Sequence, residues 1–213
     1  MRSSVPIPGN PWPHDMTITI EESSQPLLEL LWVREAWGLH PVGDDLPPLL
    51  ADQYVSAQPE VGIVEEFARW QYVWSDLWEA CVKHASLIPD PSAFERLRET
   101  ADGSVERAQG LKRMYGRSWR DTFGDAALTD RYRAWTLANF EAHARLRPKD
   151  YEEAPERVSL AALIPAWEAG LSKIVVIPCR GSHTRIIGEH SLLVTAETRN
   201  DPQRYSEALA QFQ

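Results

Sequence analysis

A chain of 213 residues, of which 43% are hydrophobic and 25% charged, has the composition of an ordinary globular protein and the length of one domain. Its net charge of −9 argues against bulk binding to nucleic acid or to an anionic membrane. No apolar run reaches the roughly 18 residues of a membrane span, and the first fifteen residues contain no secretory signal. With only two cysteines, a disulfide framework is not expected. We therefore expect a cytoplasmic protein that does not act at a membrane.

The N-terminal half predicts one strand followed by helices. Residues 1–15 are rich in proline and predict an arm outside the folded domain, a candidate for disorder. Thr and Ile alternate in residues 16–23, which is typical of a half-buried strand. A helix is expected over residues 24–38, where a proline suits the first turn and a glycine ends the pattern. The strongest helical pattern covers residues 59–87, with an apolar stripe formed by Ile63, Phe67, Trp70, Trp74, Leu77, Cys81 and Leu87.

The C-terminal half predicts further helices and then a small sheet. The helices are expected over residues 92–100, 104–116, 128–146, 159–171 and 201–212. Pro165 predicts a kink or a break in the fourth of these. Two strands rich in β-branched residues, 173–178 and 190–197, enclose residues 185–187, which predict a hairpin arm. The predicted fold class is α+β: a helix-dominated single domain, residues 16–213, with a three- to four-stranded sheet formed by the N-terminal strand and the C-terminal strands.

Polar residues crowd between the two apolar C-terminal segments, in the sequence CRGSHTR of Cys179–Arg185. The preceding run KIVVI must be largely buried, and Gly181 allows the chain to reverse. We expect a turn that leads into a β-hairpin. Its polar side chains predict a surface that binds a small anion; the candidate ligand-binding residues here are Arg180, Ser182, His183 and Arg185. The alternative is that Arg185 pairs with Glu189 or Glu197 across the hairpin.

The same segment resembles the phosphate-binding loop of low-molecular-weight tyrosine phosphatases and arsenate reductases. The resemblance covers about seven of the 213 residues, from Cys179 to Arg185. It implies that Cys179 is a thiolate nucleophile, that backbone amides cradle the oxyanion and that Arg185 clamps it. It also implies that Asp201 before Pro202 is a general acid and that a helix follows the arginine directly, whereas a strand-like run follows here. Cys179 and Arg185 are thus the candidate catalytic residues of an alternative, enzymatic function.

Each of the two cysteines has a histidine close behind it. Cys81 and His84 lie three positions apart on a predicted helix and therefore share a face. Together with Cys179 and His183 they would form a Cys2His2 set, which suits tetrahedral zinc. Zinc binding is thus a second alternative, with no other cofactor expected. A buried Cys81 on the apolar stripe is the competing interpretation. A looser alternative set comprises His183, Glu189 and His190.

Nine tryptophans are present, and Trp70, Trp74 and Trp78 step by four along one predicted helix. A core stripe is the leading interpretation, because Ile63 and Phe67 continue it. Trp78 is displaced toward the flank, so we expect it to be partly exposed and name it a candidate ligand contact.

A basic and aromatic segment covers residues 110–123, with four basic residues and two large aromatic ones, namely Lys112, Arg113, Arg117, Arg120, Tyr115 and Trp119. This combination suits phosphate contact and base stacking. The alternative, which we favour, is a salt-bridged loop between helices, because the chain as a whole is acidic.

Common catalytic motifs are absent from the sequence: there is no nucleotide P-loop, G-x-G-x-x-G, H-E-x-x-H or G-x-S-x-G pattern. We therefore expect a non-catalytic protein that binds a small anionic ligand or a protein partner.

Overall fold

The computed structural model describes residues 9–51, 64–88, 90–125, 127–146, 148 and 150–212. Within these residues the chain forms four β-strands, ten α-helices and one short 3-10 helix. The strands are β1 (Thr19–Glu21), β2 (Lys173–Ile177), β3 (Thr184–Ile187) and β4 (Ser191–Thr195). This confirms the predicted helix-dominated α+β class, with a sheet built from the N-terminal strand and the C-terminal strands.

The helices follow the predicted pattern in most places. They are α1 (Gln25–Ala36), α2 (Val64–Ala85), α3 (Ala93–Arg98), α4 (Val105–Tyr115), α5 (Trp119–Phe123), α6 (Asp130–Leu146), α7 (Pro155–Val158), α8 (Leu160–Glu168), α9 (Ala196–Asn200) and α10 (Pro202–Ala210), with a 3-10 turn at Tyr151–Glu153. Helix α8 has Pro165 in its interior, so the predicted break is wrong, whereas the predicted kink at this residue stays a prediction. No helix in the described ranges is long and apolar enough to cross a membrane.

The sheet has the strand order β1-β2-β4-β3. Strands β1, β2 and β4 are parallel, and β3 pairs antiparallel with β4. Every residue of β2 and β4 is buried. That explains their continuous apolar runs, because an inner strand covered on both faces does not alternate. Parallel strands end at the same edge, so the carboxyl ends of β1, β2 and β4 share one edge of the sheet.

The chain divides into two compact units. The first comprises residues 1–23, 47–51 and 130–213, and the second comprises residues 24–46 and 52–129. The sheet belongs to the first unit, where Ile174, Val176 and Leu192 pack with residues of α8 and α10. Trp12, from the Pro-rich arm, also packs against this core. Residues 1–8 of that arm and residues 59–63 of the predicted long helix lie outside the described residues, and the domain boundary at residue 16 stays a prediction.

Tryptophans form the core of the second unit. The ring centroid of Trp70 lies 5.2 Å from that of Trp37 and 5.3 Å from that of Trp119, both edge-to-face. Trp74 donates its indole N–H to the carbonyl of Leu30 in α1 at 2.9 Å. Trp78 stacks on Trp74 with centroids 5.4 Å apart, and its exposure is 0%. The core interpretation is therefore confirmed for the three tryptophans, and the expected partial exposure of Trp78 is wrong, because its flank of α2 is covered as well. Leu87, predicted on the same apolar stripe, is 56% exposed, because it lies beyond the end of α2 at Ala85.

Candidate functional site

The predicted loop lies at the carboxyl end of β2. Residues 178–183 connect β2 to β3, and β3 forms a hairpin with β4, so the predicted turn that leads into a hairpin is confirmed. The loop pairs with residues 49–51 of the same unit. Arg180 donates its backbone N–H to the Leu49 carbonyl at 2.9 Å, and Leu50 forms an isolated bridge with Cys179. Cys179 is 0% exposed as a result.

Side chains at the start of α9 hold the loop backbone. Thr195 ends β4 and caps α9, and its hydroxyl donates to the Gly181 carbonyl at 2.7 Å. The Thr198 hydroxyl accepts the backbone N–H of His183 at 3.2 Å. The Glu197 carboxylate accepts the backbone N–H of Gly181 at 2.8 Å. Gly181 has a φ of +72°, which glycine adopts without strain. These contacts fix the loop on the first turn of α9.

Three backbone amides of the loop therefore already have acceptors. Those of Arg180, Gly181 and His183 donate to a carbonyl, a carboxylate and a hydroxyl of the protein itself. A phosphatase-type loop needs such amides for its oxyanion. Moreover, Arg185 lies within β3, where the resemblance implies the start of a helix. Asp201 accepts two backbone N–H groups of α10 as its cap. The implied loop-and-helix structure is thus not the one that this segment adopts.

The side chains of the loop differ in exposure. Arg180 and Ser182 are exposed, whereas His183 and Arg185 are half-buried. Arg180 forms no ion pair within the part of the chain that the structure describes. The loop therefore presents a guanidinium and a hydroxyl to solvent from a fixed backbone. Trp78, by contrast, lies in the core of the other unit, away from any solvent.

A buried ion network lies at the same sheet edge. Arg199 of α9 donates from Nε and Nη2 to both oxygens of Glu156, at 2.7 and 3.0 Å, and from Nη1 to Glu22 at 2.6 Å. Tyr205 donates its hydroxyl to Glu156 at 3.0 Å. Burial raises the pKa of Tyr205 well above its ordinary value, so the phenol stays a donor. Burial alone lowers the pKa of a guanidinium, but the hydrogen bonds and charge of Glu156 raise the pKa of Arg199. All three nitrogens of Arg199 have acceptors, so we interpret this network as structural.

The predicted zinc ligands fall in two places. Cys81 and His84 lie on α2 in the second unit, whereas Cys179 and His183 lie on the loop in the first. Cys81 donates its thiol to the Arg117 carbonyl at 3.1 Å, and burial raises its pKa to about 12. Zinc binds the thiolate, which such burial disfavours.

Two of the candidate histidines, His84 and His190, are engaged with backbone carbonyls. His84 Nε2 lies 3.1 Å from the Arg113 carbonyl, and His190 Nδ1 lies 3.1 Å from the Gly170 carbonyl. A carbonyl only accepts, so each of these nitrogens carries the proton and is not a metal ligand in this state. Across the described ranges, no group of three or more His, Cys, Asp or Glu side chains is arranged to hold a metal ion.

Two features of this sheet edge were missed by the sequence prediction. Thr195 caps α9 by accepting the backbone N–H of Thr198 three positions later, as is typical of a helix start, but the predicted helix began only at residue 201. The Arg199 network had no local signal, because Glu22 and Glu156 are far apart in the sequence. Comparison of the chain with protein-family models, curated proteins and solved structures finds no match. The site is therefore interpreted from its own geometry.

Proposed function

We propose that this chain is a non-catalytic binding protein, and that the loop after β2 takes a small anionic ligand. The residues that would contact the ligand are Arg180, Ser182, His183 and Arg185. The observation that carries the proposal is the clamp on the loop: Thr195, Thr198 and Glu197 hold its backbone while Arg180 and Ser182 face solvent. A fixed backbone lowers the entropy cost of ordering side chains around a ligand.

The chemistry of the loop supports recognition by side chains. Its amides at positions 180, 181 and 183 are occupied, so a ligand's negative charge would be met by the guanidinium of Arg180. A guanidinium binds a carboxylate or a phosphate through two parallel hydrogen bonds. Burial of Cys179 favours binding over thiol catalysis, because a nucleophile must reach its substrate.

Isothermal titration with inorganic phosphate, sulfate and succinate at low ionic strength tests the proposal. We expect at least one of these anions to bind, and Arg180→Ala to weaken that binding roughly tenfold, the effect of losing one charged hydrogen-bonding group. Arg133→Ala is the matched control, because Arg133 lies on α6 and its side chain is 85% exposed. It should bind like the unmodified chain.

Three outcomes would overturn the proposal. The first is that none of the three anions binds the unmodified chain, and the second is that Arg180→Ala has no more effect than Arg133→Ala. The third is hydrolysis of p-nitrophenyl phosphate that disappears in Cys179→Ser, which would favour the enzymatic alternative. A Thr198→Val variant tests whether the fixed loop backbone matters for binding. It removes the acceptor of the His183 N–H and should weaken anion binding although Thr198 is buried and does not contact the ligand.

A further inference from the structure

Helix α4 of the second unit has an uncovered surface. None of its eleven residues is buried. A helix of this length is only marginally stable alone, and most helices of globular proteins gain their stability by burying an apolar face. Yet Val105, Leu111 and Tyr115 of α4 are 66%, 38% and 59% exposed. The helix thus presents apolar side chains that its own unit does not cover.

The backbone of α4 comes very close to neighbouring side chains at two glycines. A Cβ added at Gly110 would lie 2.9 Å from the side chain of Leu97 in α3. A Cβ at Gly116, directly after α4, would lie 2.4 Å from the ring of His84 in α2. The end of α2, α3 and α4 are therefore in close contact. Leu111 and Tyr115 lie four positions apart and share one side of α4. We call these two side chains, together with the cations described next, the α4 face.

Positive charge lies beside these apolar residues. Lys112 and Arg113 occupy the last turn of α4, Arg117 follows it, and all three are exposed. They form no ion pair within the described ranges. Among the carboxylates of this part of the chain, Asp90 pairs with Arg96, Asp102 pairs with Arg107 and Asp121 takes part in a capping box. The one acidic residue of α4, Glu106, lies in its first turn, at the opposite end.

We infer that the α4 face docks an acidic, amphipathic segment of another protein. Apolar side chains of that segment would cover Tyr115 and Leu111, and its carboxylates would meet Lys112, Arg113 and Arg117. A tyrosine beside basic residues is a frequent centre of binding energy at protein interfaces. The inference concerns the second unit and is independent of the anion-binding loop, which belongs to the first.

Two other occupants, a second copy of the chain and single-stranded nucleic acid, suit the α4 face less well than an acidic protein segment. A second copy related by a two-fold axis would bring the same three cations of both copies, Lys112, Arg113 and Arg117, into one interface, which is repulsive. For single-stranded nucleic acid, the predicted stacking residues were Tyr115 and Trp119, but Trp119 is 0% exposed and packs against Trp70. Exposed aliphatic side chains also gain nothing from phosphate. An acidic amphipathic segment would contact both the apolar side chains and the cations of the α4 face.

Fluorescence anisotropy with labelled 18-residue peptides tests this on the full chain. The probe is an amphipathic peptide of Glu, Leu and Ala. The comparison peptides are a scrambled version of the same composition and a version in which Lys replaces Glu. We expect the acidic amphipathic peptide to bind best, with an affinity that falls as salt rises. Lys112→Glu with Arg113→Glu should weaken it roughly tenfold or more, because two attractive charges become repulsive. The same variant should gain affinity for the Lys peptide.

The matched control reverses two exposed arginines of another helix. Arg131→Glu with Arg133→Glu makes the same charge change on α6 and should leave peptide binding unchanged apart from the long-range effect of net charge. The inference is wrong if the acidic peptide binds no better than the scrambled one, or if the α4 and α6 reversals act equally. It is also wrong if only oligo(dT) binds through Lys112 and Arg113, or if light scattering shows a dimer that the α4 reversal dissociates.

Discussion

Replacement of Arg199 by methionine should destabilise the first unit more than the loss of any surface ion pair. Methionine keeps an unbranched side chain of similar reach but removes the guanidinium. Glu156 and Glu22 would then remain close together at the sheet edge without the cation to which both are bonded. Tyr205 would still donate to Glu156, but one hydroxyl does not balance two carboxylates.

The expected cost follows from the burial of the three side chains. Removal of one partner from a buried ion pair costs about 3–5 kcal/mol, because the remaining charge is left without compensation. The side chains of Arg199 and Glu156 are 13% and 11% exposed, and that of Glu22 is 24% exposed. Water screens the more exposed carboxylate, so we expect the lower end, about 3 kcal/mol. Glu156→Gln keeps the shape and the oxygen that accepts from Tyr205 and should cost about 1–2 kcal/mol.

Urea unfolding followed by circular dichroism measures these differences in the free energy of unfolding. Arg145→Met is the matched control. Arg145 pairs with Glu141 on α6, where the two side chains are 77% and 52% exposed, and such helix pairs contribute about 0.5 kcal/mol or less. If Arg199→Met costs no more than Arg145→Met, the network contributes nothing measurable and the argument from burial fails. A double variant of Arg199 and Glu156 should be less destabilised than the sum of the two single variants, since the residues interact directly.

Two further predictions concern the second unit and the cysteines. Iodoacetamide at pH 8 should leave both thiols of the native chain unmodified, because burial raises the pKa of Cys81 to about 12 and Cys179 is 0% exposed. Mass spectrometry should show two adducts only in denaturant. Rapid labelling of Cys179 in the native chain would contradict its burial. Gly116→Ala should cost about 1–3 kcal/mol more than Gly124→Ala in urea unfolding. Both glycines follow a helix with φ near +70°, but a Cβ at Gly116 meets the His84 ring at 2.4 Å whereas one at Gly124 has no atom within 4 Å. Equal costs would mean that the ring of His84 moves away freely.

Patterns over many residues predicted the fold well. The strand near residue 20, the tryptophan stripe of α2 and the apolar strands β2 and β4 all have a period or a run that burial explains. The short helices α5 and α9 were missed, because five residues are too few for a helical period. Their starts depend instead on single caps, the side chains of Ser118 and Thr195. The exposure of Trp78 was wrong because a helical pattern shows one face and not what packs on its flank.

The candidate site was predictable only as far as it is local. The turn after β2 was predicted from a buried strand, a glycine and the hairpin that follows it. The contacts that hold it come from Thr195, Thr198 and Glu197, more than a dozen positions later, and from residues 49–51, which the sequence does not connect with it. The Arg199 network likewise joins residues that are far apart in the sequence. The hypothesis of zinc binding rested on the spacing within each Cys-His pair, and spacing does not show that Cys81 and His84 are bonded to the carbonyls of Arg117 and Arg113.

An anion at this loop would be bound by exposed side chains and not by a cradle of backbone amides. An amide cradle holds an oxyanion in a site that excludes water, so its strength changes little with salt. Here Glu197 already accepts the Gly181 amide, and Thr195 accepts the amide of Thr198 at 3.1 Å, so neither of these two amides is open to a ligand. The remaining attraction would come from the exposed guanidinium of Arg180, and solvent ions screen an exposed charge. Anion binding at this loop should therefore weaken steadily as sodium chloride rises. An affinity independent of salt would mean that the ligand displaces Glu197 and takes the amides, which is a different site from the one proposed.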